Sequence, residues 1–160
     1  MITVLIGLGS NLEDKIRNCE RAVYFLAKHP EITVIKVSKW YKSKAMALAG
    51  ETHPDFINGA VQAETPLSPL ELVHYCKSVE YELGRKAAAK KWQPRIIDID
   101  LLFYGDRILK TNSVVIPHPS LHERIFVLKP LKELVPQWRH PVLNKTVEEM
   151  FASVLQNAPI

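Results

Sequence analysis

Asp98 and Asp100 stand two positions apart in an otherwise apolar run, Ile96-Ile97-Asp98-Ile99-Asp100-Leu101-Leu102-Phe103-Tyr104, closed by Gly105-Asp106. Such a run reads as a strand ended by a turn. Side chains alternate faces along a strand, so both carboxylates project to one side with Cα atoms roughly 6.5–7 Å apart. At an effective dielectric of about 20, two anions at that spacing repel by roughly 2 kcal/mol. Either cations neutralise them, or that face is open to water and its charges guard the strand against aggregation. The residues upstream favour cations. Lys90, Lys91, Trp92 and Arg95 arrive at the same end of the same strand, and Arg85 lies ten residues before Arg95. Arginines and a lysine converging on two carboxylates is the set that magnesium-bound polyphosphate requires. The carboxylates hold metal, and the guanidinium forks hold oxygens that the metal does not reach. Mg²⁺ takes few protein ligands and keeps phosphates and waters, so an Asp-x-Asp pair suits it better than Zn²⁺.

Other candidates are weaker. His118 and His122 stand four apart beside Glu123, but Pro119 lies between them and they need not share a helix face, which disfavours zinc. Lys77 and Glu80 lie off the apolar stripe of a helix and read first as a solvated ion pair. Gly7-Leu8-Gly9-Ser10-Asn11 follows a β-branched run and resembles a phosphate loop. It lacks the Lys-Ser/Thr pair of one template and the third glycine of the other. It is expected to be a tight strand-to-helix turn with Ser10 or Asn11 as the cap.

The elements that position these residues are set by periodicity and caps. Residues 2–6 are a buried strand. A helix comes next with its stripe at Leu12, Ile16, Cys19, Val23 and Leu26, stopped by His29-Pro30. Residues 32–41 alternate as a second strand, 42–55 form a loop, and 56–63 form a third strand running through Asn58-Gly59. Ser68-Pro69-Leu70-Glu71 is a capping box with proline at the first helical position. The helix it opens has Leu72, Tyr75, Cys76, Val79 and Leu83 on one side and ends at Gly84. With the aspartate strand the order is βαββαβ, a ferredoxin-like α+β arrangement with an antiparallel sheet and both helices on one face. Beyond it, Val114-Val115-Ile116 is a short edge strand, and two prolines stiffen the loop around His118. Ser120 is expected to cap a helix through Arg124 and Val127, and Pro130 and Pro136 to break the chain beyond it into short pieces. Thr146-Val147-Glu148-Glu149 is a second capping box that opens a C-terminal helix.

At 160 residues with 47% hydrophobic and 24% charged side chains, the chain is expected to be one domain around one core. No apolar run is long enough to span a membrane, and the N-terminus lacks a signal peptide's basic region. Cys19 and Cys76 lack metal-type spacing and read as reduced core residues, pointing to the cytoplasm. The net charge of +4 is compatible with a nucleotide and with nucleic acid.

Five segments together carry a resemblance: Gly7-Leu8-Gly9-Ser10-Asn11-Leu12, Pro54-Asp55-Phe56-Ile57-Asn58, Glu80 through Gly84-Arg85, Lys91-Trp92-Gln93-Pro94-Arg95-x-x-Asp98-x-Asp100, and Ile116-Pro117-His118 through Arg124-x-Phe126. In order and spacing, over residues 1–130, they resemble the 6-hydroxymethyl-7,8-dihydropterin pyrophosphokinases of folate biosynthesis. The run from Trp92 to Asp100 is the most specific of them. The resemblance implies transfer of the β,γ-diphosphate of ATP to the pterin's hydroxymethyl group, with release of AMP. It implies two Mg²⁺ ions on Asp98 and Asp100, and charge stabilisation by Arg85 and Arg95. ATP contacts fall to Glu80, Lys91, Trp92, His118 and Arg124. Asn58 is expected at the pterin edge, with Phe56 and Phe126 stacking on the ring and the basic loop closing over the site. A monomer acting on small molecules alone is implied, with no nucleic acid and no membrane.

This chain departs from the family pattern at Ser43-Lys44-Ala45-Met46, where Thr-x-Pro is usual, and so lacks a rigidifying proline. Lys91 takes a place often held by arginine and loses the bidentate fork. Two rivals stand beside this reading: an RNA-binding ferredoxin-like domain, and a homologue that binds pterin or nucleotide without turnover. The strand over 56–63 lacks an RNA platform's glycine-aromatic series, and paired aspartates repel phosphates unless metal is present.

Overall fold

A computed structural model describes residues 1–43, 55–84 and 96–157. The expectations for Arg85, Lys91, Trp92 and Arg95, and for the 44–46 departure, lie outside these residues.

The elements are β1 (Ile2–Ser10), α1 (Lys15–Lys28), β2 (Thr33–Val37), β3 (Tyr41–Ser43), β4 (Phe56–Thr65), α2 (Pro69–Gly84), β5 (Asp98–Tyr104), β6 (Leu109–Lys110), β7 (Val115–Ile116), α3 (Ile125–Leu134) and α4 (Val147–Asn157). The main sheet is antiparallel in the order β2-β4-β1-β5, with β3 also pairing with β4. This is the ferredoxin-like arrangement expected from the element order. The central strand β1 is covered on both faces, which is why it reads as a nearly continuous apolar run. Val4, Ile6 and Leu8 face Cys19, Ala22 and Leu26 of α1 and Leu72, Cys76 and Val79 of α2. Leu5, with Ala60, Leu102 and Phe103, faces Leu128 and Leu131 of α3 and Met150 of α4. Among the described residues no helix is long and apolar enough to cross a membrane.

Both capping boxes form. Ser68 N–H donates to Glu71 and Glu71 N–H to Ser68 Oγ; Thr146 and Glu149 make the same reciprocal pair. These bonds hold the Glu71 and Glu149 carboxyls below their usual range.

Several local expectations are corrected. β1 does not stop at Gly7 but runs through Ser10, whose hydroxyl donates to the Ile96 carbonyl at 2.5 Å. Engaged there, it caps nothing, and α1 is capped instead by Asp14, whose carboxylate accepts from Arg17 N–H at 3.3 Å. Ile16, in the first turn, is 45% exposed. The buried face carries Asn18, which donates to Ser10 Oγ at 3.2 Å and to the Leu12 carbonyl at 2.9 Å. The strand expected over 32–41 is two strands, because Ser38 to Trp40 leave the ladder. Ser38 Oγ accepts from Ala60 N–H at 2.8 Å. Trp40 lies over Gly59, where a Cβ would stand 2.4 Å from its ring. β7 pairs only with β6, apart from the main sheet. Ser120 makes no side-chain cap; a 3-10 turn over Leu121–Glu123 intervenes, and α3 begins after Arg124. Pro130 sits inside α3. It lacks the N–H that would reach back one turn, and the burial of Leu128 and Leu131 offsets that loss.

His140 closes the α3–α4 side. It is 5% exposed, meets Phe103 edge-on at 5.7 Å, and accepts at Nδ1 from the Val142 and Leu143 N–H groups at 3.2 and 3.1 Å. Burial, and then neighbouring His122, hold its pKa below the ordinary 6.5. The unfolded chain therefore binds a proton that the fold excludes, so this contribution is complete above about pH 6.5 and declines below it. Melting curves from pH 8 to 5 are expected to show a falling midpoint on the acid side, and a shallower fall in His140→Gln. Equal slopes in the two proteins would contradict this assignment.

Candidate active site

A cavity of about 900 Å³ opens on the α3–α4 side of the sheet. Its floor is set by strand register. Gly9 pairs with Asn58 on β4 and with Asp98 on β5, and Gly7 pairs with Ala60 and with Asp100. Paired residues project to the same face. One row therefore reads Asn58–Gly9–Asp98 and the next Ala60–Gly7–Asp100. Strands lie about 4.8 Å apart, so the Asn58 and Asp98 backbones are separated by about 10 Å of glycine floor. A Cβ on Gly9 would stand 3.1 Å from Asn58 Oδ1, and one on Gly7 3.2 Å from Leu102. The two glycines keep a trough open between the amide and the carboxylates. Read as a turn in the sequence, they are part of the site. Their spacing by two after a β-branched run is the signal that marks one strand face.

Asp98, Asp100, His118, Arg124, Asn58, Phe56 and Phe126 all line the cavity, and the register sets Asn58 and Asp98 on opposite sides of Gly9. Asp98 is half-buried and Asp100 exposed. β5 ends the sheet, and two backbone groups on its outer edge are engaged. The Ile99 N–H, between the two aspartates, donates to Glu80 at 2.7 Å, and the Leu102 carbonyl accepts from His118 N–H at 3.0 Å. Glu80 does not line the cavity; it joins α2 to the backbone that carries the aspartates. The Ile116–Pro117 peptide before His118 is cis. Burial lowers the pKa of His118 from its ordinary value, Asp100 opposes the shift and Arg124 adds to it. The Arg124 guanidinium stands 5.9 Å from the centre of the Phe126 ring. Asn58 Nδ2 donates to Ser43 Oγ at 2.7 Å. Ser43, from the segment where the chain departs from the family pattern, also lines the cavity, as do His122, Glu123 and Asn157, and sequence reasoning placed none of these last three there. Among the described residues no group of three His, Cys, Asp or Glu forms a metal cage. Two hard carboxylates on one face suit a cation that takes its remaining ligands from phosphate and water.

A family model described as 7,8-dihydro-6-hydroxymethylpterin-pyrophosphokinase, HPPK, matches residues 5–136. The chain belongs to the HPPK family. It is 40% identical over 150 residues to the 2-amino-4-hydroxy-6-hydroxymethyldihydropteridine pyrophosphokinase of Synechocystis sp., covering 94% of this chain and 75% of that one. The pyrophosphokinase of the same name from Aquifex aeolicus is 42% identical over 149 residues, covering 93% and 90%. Wild-type Plasmodium falciparum HPPK-DHPS has the same fold, with a TM-score of 0.73 and 15% identity. The alignment covers 98% of this chain and 45% of that longer one. The HPPK residues of the resemblance, Asp98, Asp100, His118, Arg124, Asn58, Phe56 and Phe126, thus share one cavity.

Proposed function

We propose that this pyrophosphokinase of folate biosynthesis transfers the diphosphate of ATP to the hydroxymethyl group of 6-hydroxymethyl-7,8-dihydropterin along the Asn58–Gly9–Asp98 trough. The observation that carries the reading is the register that sets an amide and two carboxylates on opposite sides of a bare glycine floor. The pterin lies at the Asn58 end between Phe56 and Phe126, since flat rings favour such a sandwich. The triphosphate lies at the Asp98–Asp100 end. Mg²⁺ bound there, two ions by family resemblance, supplies neutralisation of the triphosphate charge. His118 donates an N–H to a phosphate oxygen, and Arg124 offers a fork to others. By the family resemblance, Arg85 and Arg95 would add positive charge, and Lys91 and Trp92 would serve the nucleotide. No covalent nucleophile is required, because positioning and electrostatics account for such a transfer. The reading takes the enzyme as a cytoplasmic monomer acting on small molecules. The test is product identity. Protein, ATP, pterin and Mg²⁺ are expected to give AMP only when pterin is present; ADP, or no turnover, would overturn the reading.

Glu80 acts here through β5. Its charge-assisted bond to Ile99 N–H holds the segment between the two metal-binding carboxylates. Glu80→Ala is expected to lower turnover about tenfold or more, with Glu80→Gln recovering most of it. Steady-state kinetics with varied Mg²⁺ would check this. Equal activity in Glu80→Ala and wild type would remove Glu80 from the mechanism.

A further inference from the structure

The two walls at the pterin end are joined at a point away from the cavity. Glu133, in the last turn of α3, accepts from the Tyr41 hydroxyl at 2.5 Å and from the Lys39 N–H at 3.0 and 3.2 Å. Lys129, one turn earlier, holds its ammonium 5.3 Å from the centre of the Tyr41 ring. One carboxylate thus gathers a side-chain donor and a backbone donor from the segment entering β3, and charge-assisted bonds of this kind are the strong ones. The first turn of the same helix carries Phe126 into the cavity.

β3 transmits the contact. Tyr41 pairs with Asn58 and Ser43 with Phe56, so the strand clamped at Tyr41 lies beside both residues of the opposite wall. Tyr41 and Ser43 are two apart and share a face. Ser43 Oγ receives the Asn58 amide N–H, which commits Nδ2 to the wall and leaves Oδ1 on the side of Gly9. From the other side Ser38 holds Ala60 N–H, so the chain between β2 and β3 is held at both ends. The Glu133 bond pushes the Tyr41 phenol up to about 12, and the hydroxyl remains a donor throughout the working pH range.

We propose that Glu133 is a positioning residue for the pterin site: by holding Tyr41 and Lys39 it fixes β3, and through Ser43 the direction in which the Asn58 carboxamide faces the heterocycle. Glu133 does not line the cavity. The inference rests on the reading of Asn58 as a pterin ligand. A clamp of this kind selects a planar heterocycle with an amide-like edge, because a turned carboxamide exchanges donor for acceptor. It leaves the nucleotide end untouched.

The clamp predicts a selective change. In Glu133→Ala the KM for pterin is expected to rise about tenfold, the loss of one good hydrogen bond at the site. The KM for ATP and kcat are expected to stay within about twofold. Glu133→Gln, which keeps an acceptor, recovers most of the loss, and Tyr41→Phe reproduces part of it while keeping the ring. Because the two residues act as one unit, Tyr41→Phe/Glu133→Ala is expected to be no worse than Glu133→Ala. Gln137→Ala, which removes a surface bond to Glu148, serves as a control with both KM values unchanged. An unchanged pterin KM in both Tyr41→Phe and Glu133→Ala, or an equal rise in both KM values, would overturn the clamp. Fluorescence titration of pterin binding needs no turnover and separates the two readings. Wild type that binds pterin without releasing AMP contradicts the transferase alone. Equal pterin affinity in wild type and Glu133→Ala contradicts the clamp alone, and no binding by wild type overturns both.

Discussion

Asp100→Ala, given ATP, 6-hydroxymethyl-7,8-dihydropterin and Mg²⁺, is expected to release AMP at least about a thousandfold more slowly than wild type. Asp98→Ala is expected to match it. The transferred group carries its charge on several oxygens, and little covalent chemistry falls to the protein. If these carboxylates hold the metal as proposed, removing one removes most of what the site contributes, and a loss of this size is about 4 kcal/mol of barrier. Stability should not track activity. Asp100 is exposed, its truncation leaves no buried group unpaired, and losing one of two like charges relieves repulsion. A melting midpoint at or above the wild-type value, with activity gone, is the expected signature. Near-native turnover in either variant would remove the metal role.

Gly9→Val is expected to weaken pterin binding by about a hundredfold while the fold persists. Gly9 is a strand residue between Asn58 and Asp98, and β-branched side chains suit a strand backbone. The Cβ would meet the Asn58 amide oxygen at 3.1 Å, and the methyl groups would stand where the proposed function puts the heterocycle. Gly9→Ala, with the Cβ alone, is expected to lose less. Both are read by pterin titration alongside thermal melts. Unimpaired binding by Gly9→Val would place the pterin elsewhere. Gly59 contrasts with it: the space beyond its Cα is filled by Trp40, so that glycine serves packing.

The order of elements and the shared face of Asp98 and Asp100 were legible because both depend on local periodicity and caps. Ser68–Glu71 and Thr146–Glu149 declare themselves within four residues. The glycine trough was not legible in this way. Gly7-Leu8-Gly9-Ser10-Asn11 carries the punctuation of a turn and little strand propensity, and only pairing with Asn58 and Asp98, distant in sequence, makes it strand. Glu80 was open between a surface ion pair and a nucleotide contact. Its partner is a backbone N–H nineteen residues away, which no helix-face pattern reveals. Pro130 marks a break by its own chemistry, and tertiary burial overrides it. The Tyr41–Glu133 contact spans 92 residues and leaves no trace in periodicity. The residues around His118 were read as a stiff loop, and its N–H bond to Leu102 shows what that stiffness holds in place.

The central claim is that Asp98 and Asp100 form the metal-binding half of the trough. Mn²⁺ titration monitored by electron paramagnetic resonance, with a non-hydrolysable ATP analogue present, tests it most directly. Wild type is expected to bind two Mn²⁺ per chain together with the nucleotide, whereas Asp98→Ala and Asp100→Ala lose at least one of them. Two Mn²⁺ bound with unchanged affinity in both variants would contradict it.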